Sequence, residues 1–383
     1  MYATRLLSMY KRNPSALSDP PPSGPNSSYL VLLDEEAQTY SCFGLCKNNR
    51  IKDFPFPQNK NLTIVYSVGE NTHREEAMFL PVLNQPLSSN RYYVIRRKGK
   101  NQGKASTSSK EEDMATCLCC SFVQDVKPRP LEPFNDYQQV EIIKKGYGFR
   151  AKSVASDGIP PGLLREKGWT LYASTPHNYQ LGQALGSNDF LRSKLPNFNF
   201  PLSNDCSESM VVGKWYCPFM FVKEGMKLKE QMKMSVFYEL TLEQRWEKIF
   251  TKENENNGES DVFVDVVIQS EVAKIGGRDA IWDENRLVDR VLWFKSVDDV
   301  ASVGLSVEVI EGMKWEQKRV GWIGGNGRQA VRVTKVEEFG GTNKWKKFSC
   351  YVLIESFVLR SMDRRLVLTC DYKHSHQIRS KWE

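Results

Sequence analysis

Most of the marks that betray chemistry are missing from this chain of 383 residues. No uninterrupted apolar run is long enough to span a bilayer, so no membrane-spanning helix is expected. No basic segment leads into the apolar core of a secretory signal, which points away from export. The Gly-x-Ser-x-Gly elbow of a serine hydrolase is absent. So is the Gly-Lys-Ser/Thr of a phosphate loop leading into a helix. Gly321–Gly327 imitates such a loop, but Arg328 leads into an apparent strand, so the segment reads as a hairpin turn. Histidine is scarce, with four in the whole chain.

Cysteine is present but disposed for neither disulfides nor metal. The nine positions are Cys42, Cys46, Cys117, Cys119, Cys120, Cys206, Cys217, Cys350 and Cys370. An odd count at irregular spacing in a long chain is unlike a disulfide scaffold, so reduced thiols in the cytoplasm or nucleus are expected. Structural zinc sites use paired Cys-x-x-Cys knuckles, whereas the clusters here run Cys-x-x-x-Cys and Cys-x-Cys-Cys. Buried free thiols in sheets are the expectation, with metal binding, acylation and redox sensing as rivals. His374-Ser375-His376 could offer two imidazoles from one face of an extended chain, but its place near the C-terminus reads as an exposed tail. No cofactor, metal or catalytic residue is therefore assigned.

What is present favours β structure. Hydrophobic residues make up 40%, and aromatics make up 11% with nine Trp, a composition that suits sheet faces. The net charge of +7 comes from interspersed signs, as on an ordinary solvated surface. Met1–Leu17 carries Arg5, Lys11 and Arg12 without an acid, imitating a transit peptide, but reads as a segment packed on its own domain. Tyr29–Asp34 and Thr39–Phe43 suggest a hairpin, Leu62–Val68 and Tyr92–Arg96 read as strands, and Arg74–Leu80 reads as a short helix. Lys98–Glu112 lacks periodicity and reads as a mobile surface loop. Short helices are expected after Pro161 and over Asn188–Lys194.

Beyond residue 208 period-two alternation dominates. In Asp261–Gln269, Val262, Val264, Val266 and Ile268 share one face, with Asp261, Asp265 and Gln269 opposite. Leu305–Trp322 is read as another strand and Leu240–Phe250 as the one helical candidate. Its acids and bases on both faces make a lipid-facing role improbable for Leu305–Trp322. Ser235-Val236 leading to Trp246 is echoed by Ser306-Val307 leading to Trp315, and Val266–Val272 by Val352–Val358, a hint of internal duplication. The expected fold is mainly β with α+β character and antiparallel sheets. Its parts are an N-terminal β-rich lobe over 1–155, an irregular connector with short helices over 156–207, and a C-terminal antiparallel β domain over 208–383.

Three stretches carry a family resemblance: Ser8–Pro14 continuing to Gly24–Leu30, Cys42-Phe43-Gly44-Leu45-Cys46, and Gly213–Phe219. With them the chain resembles, over nearly its whole length, a plant family designated domain of unknown function 1262. The resemblance implies a land-plant source and a first segment that is retained. It supplies no activity, cofactor or site residue. A non-enzymatic binding or scaffolding protein, with a protein partner, is the expected function. One alternative is a hydrolase-like enzyme whose acids or thiols meet only in three dimensions; Asp265, Glu271, Asp289 and Glu308 are its carboxylate candidates. The other is nucleic-acid binding through Arg96, Arg97, Lys98, Lys100, Lys104 and Lys110, with Tyr92 and Tyr93 placed to stack and Glu111, Glu112 and Asp113 opposing.

Overall fold

In a computed structural model the protein is mainly antiparallel β. The structure describes residues 1–41, 46–117, 120–254, 260–298, 300–324, 330–342 and 344–383, with backbone alone for 41, 46, 115–117, 120–122 and 283–286. Two compact units divide the chain. The first comprises Met1–Ala184, Pro218–Met220 and Met226–Phe237; the second comprises Leu185–Cys217, Phe221–Gly225 and Tyr238–Glu383.

The first unit is built on a seven-stranded sheet. Its order is Gly148–Ser153, Gln139–Lys145, Arg91–Arg96, Asn71–Pro81, Asn61–Val68, Thr170–Ser174 and Arg50–Ile51. Neighbours run antiparallel throughout. One face buries Phe56, Phe79, Tyr92, Phe149 and Trp169 in a single aromatic cluster. Phe56 stacks on Tyr92 with centroids 5.3 Å apart and meets Phe79 at 5.1 Å and Phe149 at 5.0 Å edge-on, an arrangement that suits ring quadrupoles. Gly148 lets the backbone close on Trp169, since a Cβ there would lie 2.4 Å from the Gly168 carbonyl oxygen.

Several expectations for this unit are corrected. Arg74–Leu80 is no helix but part of the Asn71–Pro81 strand, because Ala77 to Pro81 are buried on both faces and only a central strand offers that. Tyr29–Asp34 does not form a hairpin with the segment after it. Ser28–Leu32 pairs in parallel with Tyr2–Leu6, and Tyr40–Ser41 pairs with Cys46–Lys47; residues 42 and 43 lie outside the described residues. The opening residues are therefore core, with Tyr2 and Ala3 buried and the Met1 amino group donating to the Asn26 carbonyl at 2.6 Å. The expected surface loop Lys98–Glu112 is mixed: its two ends, 98–100 and 110–112, are exposed, while Ala105 to Ser109 between them are buried. The amides of Ala105, Ser106, Ser108 and Ser109 donate in turn to the carbonyls of Arg129, Val94, Tyr137 and Ile159. Small side chains allow that close passage, and the hydrogen bonds replace water. Gly162–Arg165 and Asp189–Lys194 are the short helices anticipated, the second capped by Asn188 Oδ1 accepting from the Leu191 amide at 3.0 Å.

In the second unit one antiparallel sheet runs in the order Val222–Lys223, Ser302–Ser306, Val291–Ser296, Arg278–Val288, Glu271–Ile275, Leu366–Trp382, Lys347–Ser361, Phe237–Glu253 and Met210–Pro218. Its central strand, Lys347–Ser361, is buried on both faces for most of its length. A separate ribbon pairs Asp261–Gln269 with Ala330–Glu338 and covers one side of that strand. Val262 and Val264 pack with Trp345, Phe348 and Cys350, and Ile268 and Val333 pack with Val352 and Ile354. The alternation read in Asp261–Gln269 thus points the expected side chains inward. On the other side, Trp246, Tyr351 and Leu353 pack with Leu195, Phe198 and Phe200.

Two readings exchange places here. Leu240–Phe250 belongs to the seventeen-residue strand Phe237–Glu253, whose charged residues find cross-strand partners such as Glu243 with Arg360. Leu305–Trp322 is a short strand followed by the helix Val307–Lys318. The buried positions in that helix are Glu308, Val309, Gly312, Met313, Glu316 and Gln317, a helical repeat that overrides the β-branched residues at its start. Consequently Trp246 stands on a strand and its sequence echo Trp315 on a helix.

The aromatic cluster should dominate the first unit's stability. Phe56→Ala leaves a cavity among four rings and is expected to cost about 3–5 kcal/mol, read as a lower denaturation midpoint in urea with an unchanged slope.

Candidate functional site

Two pockets stand out, one within each unit. The second unit's pocket, about 320 Å³, is formed where the Asp189–Lys194 helix meets the strands carrying Gln244, Glu355 and His374. Glu355 is the key residue. It interrupts the apolar run Val352-Leu353-Ile354 in the central strand and is 1% exposed, so its charge needs a dedicated partner. Arg192 provides it. The guanidinium Nε donates to Glu355 Oε1 at 2.8 Å, a second nitrogen binds Oε2, and the remaining donors reach Glu316 Oε2 and the Glu316 carbonyl, both at 3.0 Å. Such a forked pair is planar and directional, which a lysine could not reproduce.

Further groups complete the network. Gln244 Nε2 donates to Glu355 Oε1 at 2.8 Å, and His374 Nε2 lies 3.0 Å from Gln317 Oε1 and 3.7 Å from Glu355 Oε2. Arg319 joins Glu316 to Asp189. Burial opposes ionisation of Glu355, yet the bonds from Arg192 and His374 overcome it and hold the carboxyl far below the ordinary glutamate range. For Glu316 burial wins, and its carboxyl is pushed above that range despite Arg319 and Arg192. Arg319 holds Asp189 low, and burial with the neighbouring His374 lowers His376. Two carboxyls displaced in opposite directions is the pattern of an acid–base pair, but here the low one is locked by the arginine fork.

Of these residues the sequence points only to His374 and His376, and the placement of His374 is corrected. His374 is 2% exposed inside the strand Leu366–Trp382, not part of an exposed tail, while His376 is exposed. The available signal was a carboxylate in the middle of an apolar strand run. The carboxylates that were considered go elsewhere: Asp265 pairs with Arg332 on the ribbon, and Glu308 with Arg290. Glu271 opens a buried strand, and Asp289 stands at a turn with φ of 51°. Cys42 and Cys119 lie outside the described residues, as do the side chains of Cys46, Cys117 and Cys120. Cys217, Cys350 and Cys370 are buried and free, and Cys206 is exposed and free. Residues 325–327 of the glycine-rich turn lie outside the described residues too. Among the described residues no three His, Cys, Asp or Glu side chains converge as metal ligands, and no helix is long and apolar enough to cross a membrane.

The first unit's pocket, about 280 Å³, differs in kind. Lys11, Lys47, Arg50, Lys52 and Lys60 line it, and among the described residues the single lining carboxylate is Asp53. Asp53 is bound to Lys144, which does not line the pocket. The basic run Arg96–Lys110 lies apart from these residues in sequence and is only partly open, with Lys98, Lys100 and Lys110 exposed and Arg96, Arg97 and Lys104 half-buried. Arg96 pairs with Glu75 at 2.9 Å, Lys98 pairs with Glu76 at 2.5 Å, and Arg97 stands over the Tyr179 ring.

Comparison with known proteins adds little chemistry. The profile of a family described as a protein of unknown function (DUF1262) matches residues 23–121. That stretch includes the pocket residues from Leu33 to Lys60, whereas Ser8–Pro14 and Gly213–Phe219 fall outside it. No curated protein matches the chain. Among solved structures, the chain is similar to the crystal structure of Cry35Ab1, at 11% identity and a TM-score of 0.47, over 85% of this chain and 90% of that one.

The buried network sets a pH test. Glu355, with its folded value depressed, adds stability that is complete above the ordinary glutamate value of 4.5 and is lost as pH falls below it. Glu316, with its folded value raised, acts in the opposite sense, adding stability as pH falls towards 4.5 from above. Glu355→Ala should cost about 3–5 kcal/mol at neutral pH, because Arg192 is left partly uncompensated in the interior. Glu316→Gln should make stability fall more steeply on mild acidification. Urea melts between neutrality and pH 4 measure both.

Proposed function

We propose that this chain is a non-enzymatic binding protein of a plant cell, acting in the cytoplasm or nucleus as a scaffold that joins a protein partner to a small ligand. The single observation that carries the binding reading is the first unit's pocket. It is open and of ligand size, yet no described residue lining it is a His or Cys, and its one carboxylate is engaged by Lys144. Such a lining, dominated by cations and apolar side chains, suits recognising and orienting a molecule. The buried free thiols agree with a reducing compartment.

A second reading rests on one observation in the other pocket, the opposed displacement of Glu316 and Glu355 beside His374. In that reading Glu316 is the proton donor of a hydrolase-like site and Arg192 holds its neighbour ionised. Arg192 restrains both carboxyls at once, which favours a structural role over a catalytic one.

Thermal melts of the full chain against a library of small metabolites separate the two. A true ligand at a hundred times its Kd should add about 2.7 kcal/mol of stability, and mass spectrometry should recover it chemically unchanged. Turnover of any stabilising compound, abolished by Glu316→Gln, would reject the binding reading in favour of the enzyme.

A further inference from the structure

We propose that the first unit's pocket is a binding site for a small organic phosphate, its anionic group held among Lys47, Arg50, Lys52 and Lys60. The inference rests on the binding reading above and names the ligand class.

The charge arrangement demands an occupant. Five cationic side chains converge from the Leu7–Arg12 helix and from residues 47–60, against one carboxylate that is already engaged with Lys144. Arg50 and Lys60 are half-buried, where like charges repel more strongly than on an open surface because less water screens them, and the exposed Lys11, Lys47 and Lys52 line the same cavity. Of the acids at 34–36, Glu35 is exposed and two have partners. Asp34 accepts from the Ser8 amide at 3.1 Å, and Glu36 pairs with Arg12 at 3.5 Å.

Two of the cations are held in place before any ligand arrives. Lys11 donates to the Ala37 carbonyl at 2.6 Å, and a terminal nitrogen of Arg50 donates to the Tyr147 carbonyl at 2.5 Å. Arg50 Nε–H is buried and has no acceptor among the described residues. Burial, and then the Lys47 charge, lower the Lys60 ammonium below the ordinary lysine range, the mark of a cation lacking a counter-charge.

The class of anion follows from number and geometry. Several cations around one cavity suit a group with more than one negative charge, and an arginine fork with lysine point charges is the usual recognition of phosphate. Leu7, Leu33, Ile51, Phe54 and Pro55 provide an apolar wall that a bare inorganic ion would not use. A phosphate ester places its charge on the cations and its organic part on that wall. A nucleic-acid strand would instead need an extended basic track.

Isothermal titration of the full chain with ribose 5-phosphate, ribose, inorganic phosphate and citrate tests the proposal. Ribose 5-phosphate should bind at least about tenfold tighter than any of the other three. Its affinity should fall with rising salt, and the double variant K47Q/K60Q should weaken it by about tenfold or more. K98Q/K100Q, which removes the same charge elsewhere, should leave it unchanged. Circular dichroism melts verify that the variants are folded, and protection of Lys47 and Lys60 from acetylation by the bound ester gives a readout needing no variant. Equal binding of ribose or citrate, loss of affinity in the K98Q/K100Q control, or no effect of K47Q/K60Q would overturn the assignment. A neutral compound that binds this pocket would sink the phosphate but keep the binding protein, whereas turnover of ribose 5-phosphate would sink the binding reading and keep the site.

Discussion

The second unit depends on a charge that has no business being where it is. Glu355 occupies the middle of a strand covered on both faces, where an unpaired carboxylate would be costly to bury. Everything around it is arranged to make that tolerable. The Asp189–Lys194 helix exists largely to deliver Arg192, and the helix after Ser306 delivers Glu316 and Gln317 to the same point. A hydrophobic residue at 355 would relieve the constraint, but it would also remove the reason for these three elements to meet in one register. Buried ion pairs seldom add net stability; their better-attested contribution is to specify one arrangement among several.

The same logic shows why the β architecture was legible in the sequence and parts of the site were not. Alternation in Asp261–Gln269 is a local property, and it placed Val262, Val264 and Ile268 inward correctly. Leu240–Phe250 also alternates, with Leu240, Leu242 and Trp246 on one side, but its glutamates and lysine resemble a helix surface when read without their cross-strand partners. Leu305–Trp322 failed in the other direction. Valine and isoleucine at its start favour a strand, yet the buried positions follow a helical repeat that becomes visible only when Glu308, Glu316 and Gln317 are counted as interior. Polar residues that are core because they pair with one another defeat any pattern that equates burial with apolarity.

Lys98–Glu112 teaches a related point. Glycine, serine and lysine without periodicity describe a solvated loop well, but they describe equally a segment whose small side chains let the backbone run through a crowded interior. Ala105 to Ser109 do the latter because four different strands or loops offer carbonyls to their amides. That offer is tertiary information. It takes residues 105–109 of the proposed basic loop out of solvent, leaves Lys98, Lys100 and Lys110 exposed, and Arg96 and Lys98 pair with Glu75 and Glu76 on a neighbouring strand.

The two pockets can then be compared by what happens to their charges. In the second unit, arginines and carboxylates arrive together and satisfy one another, so the cavity is electrostatically closed before anything enters. In the first, cations arrive without acids, and the one carboxylate present turns to Lys144. A folded chain can retain such an imbalance at the surface, where water and salt share the cost, but not readily around a half-buried ammonium such as that of Lys60. Proximity of unmatched like charges weakens the fold that holds them, so their persistence in one pocket makes sense where a counter-charge arrives from outside. Direction of charge imbalance, more than pocket size or depth, is what separates a site built to receive something from one already filled by its own side chains.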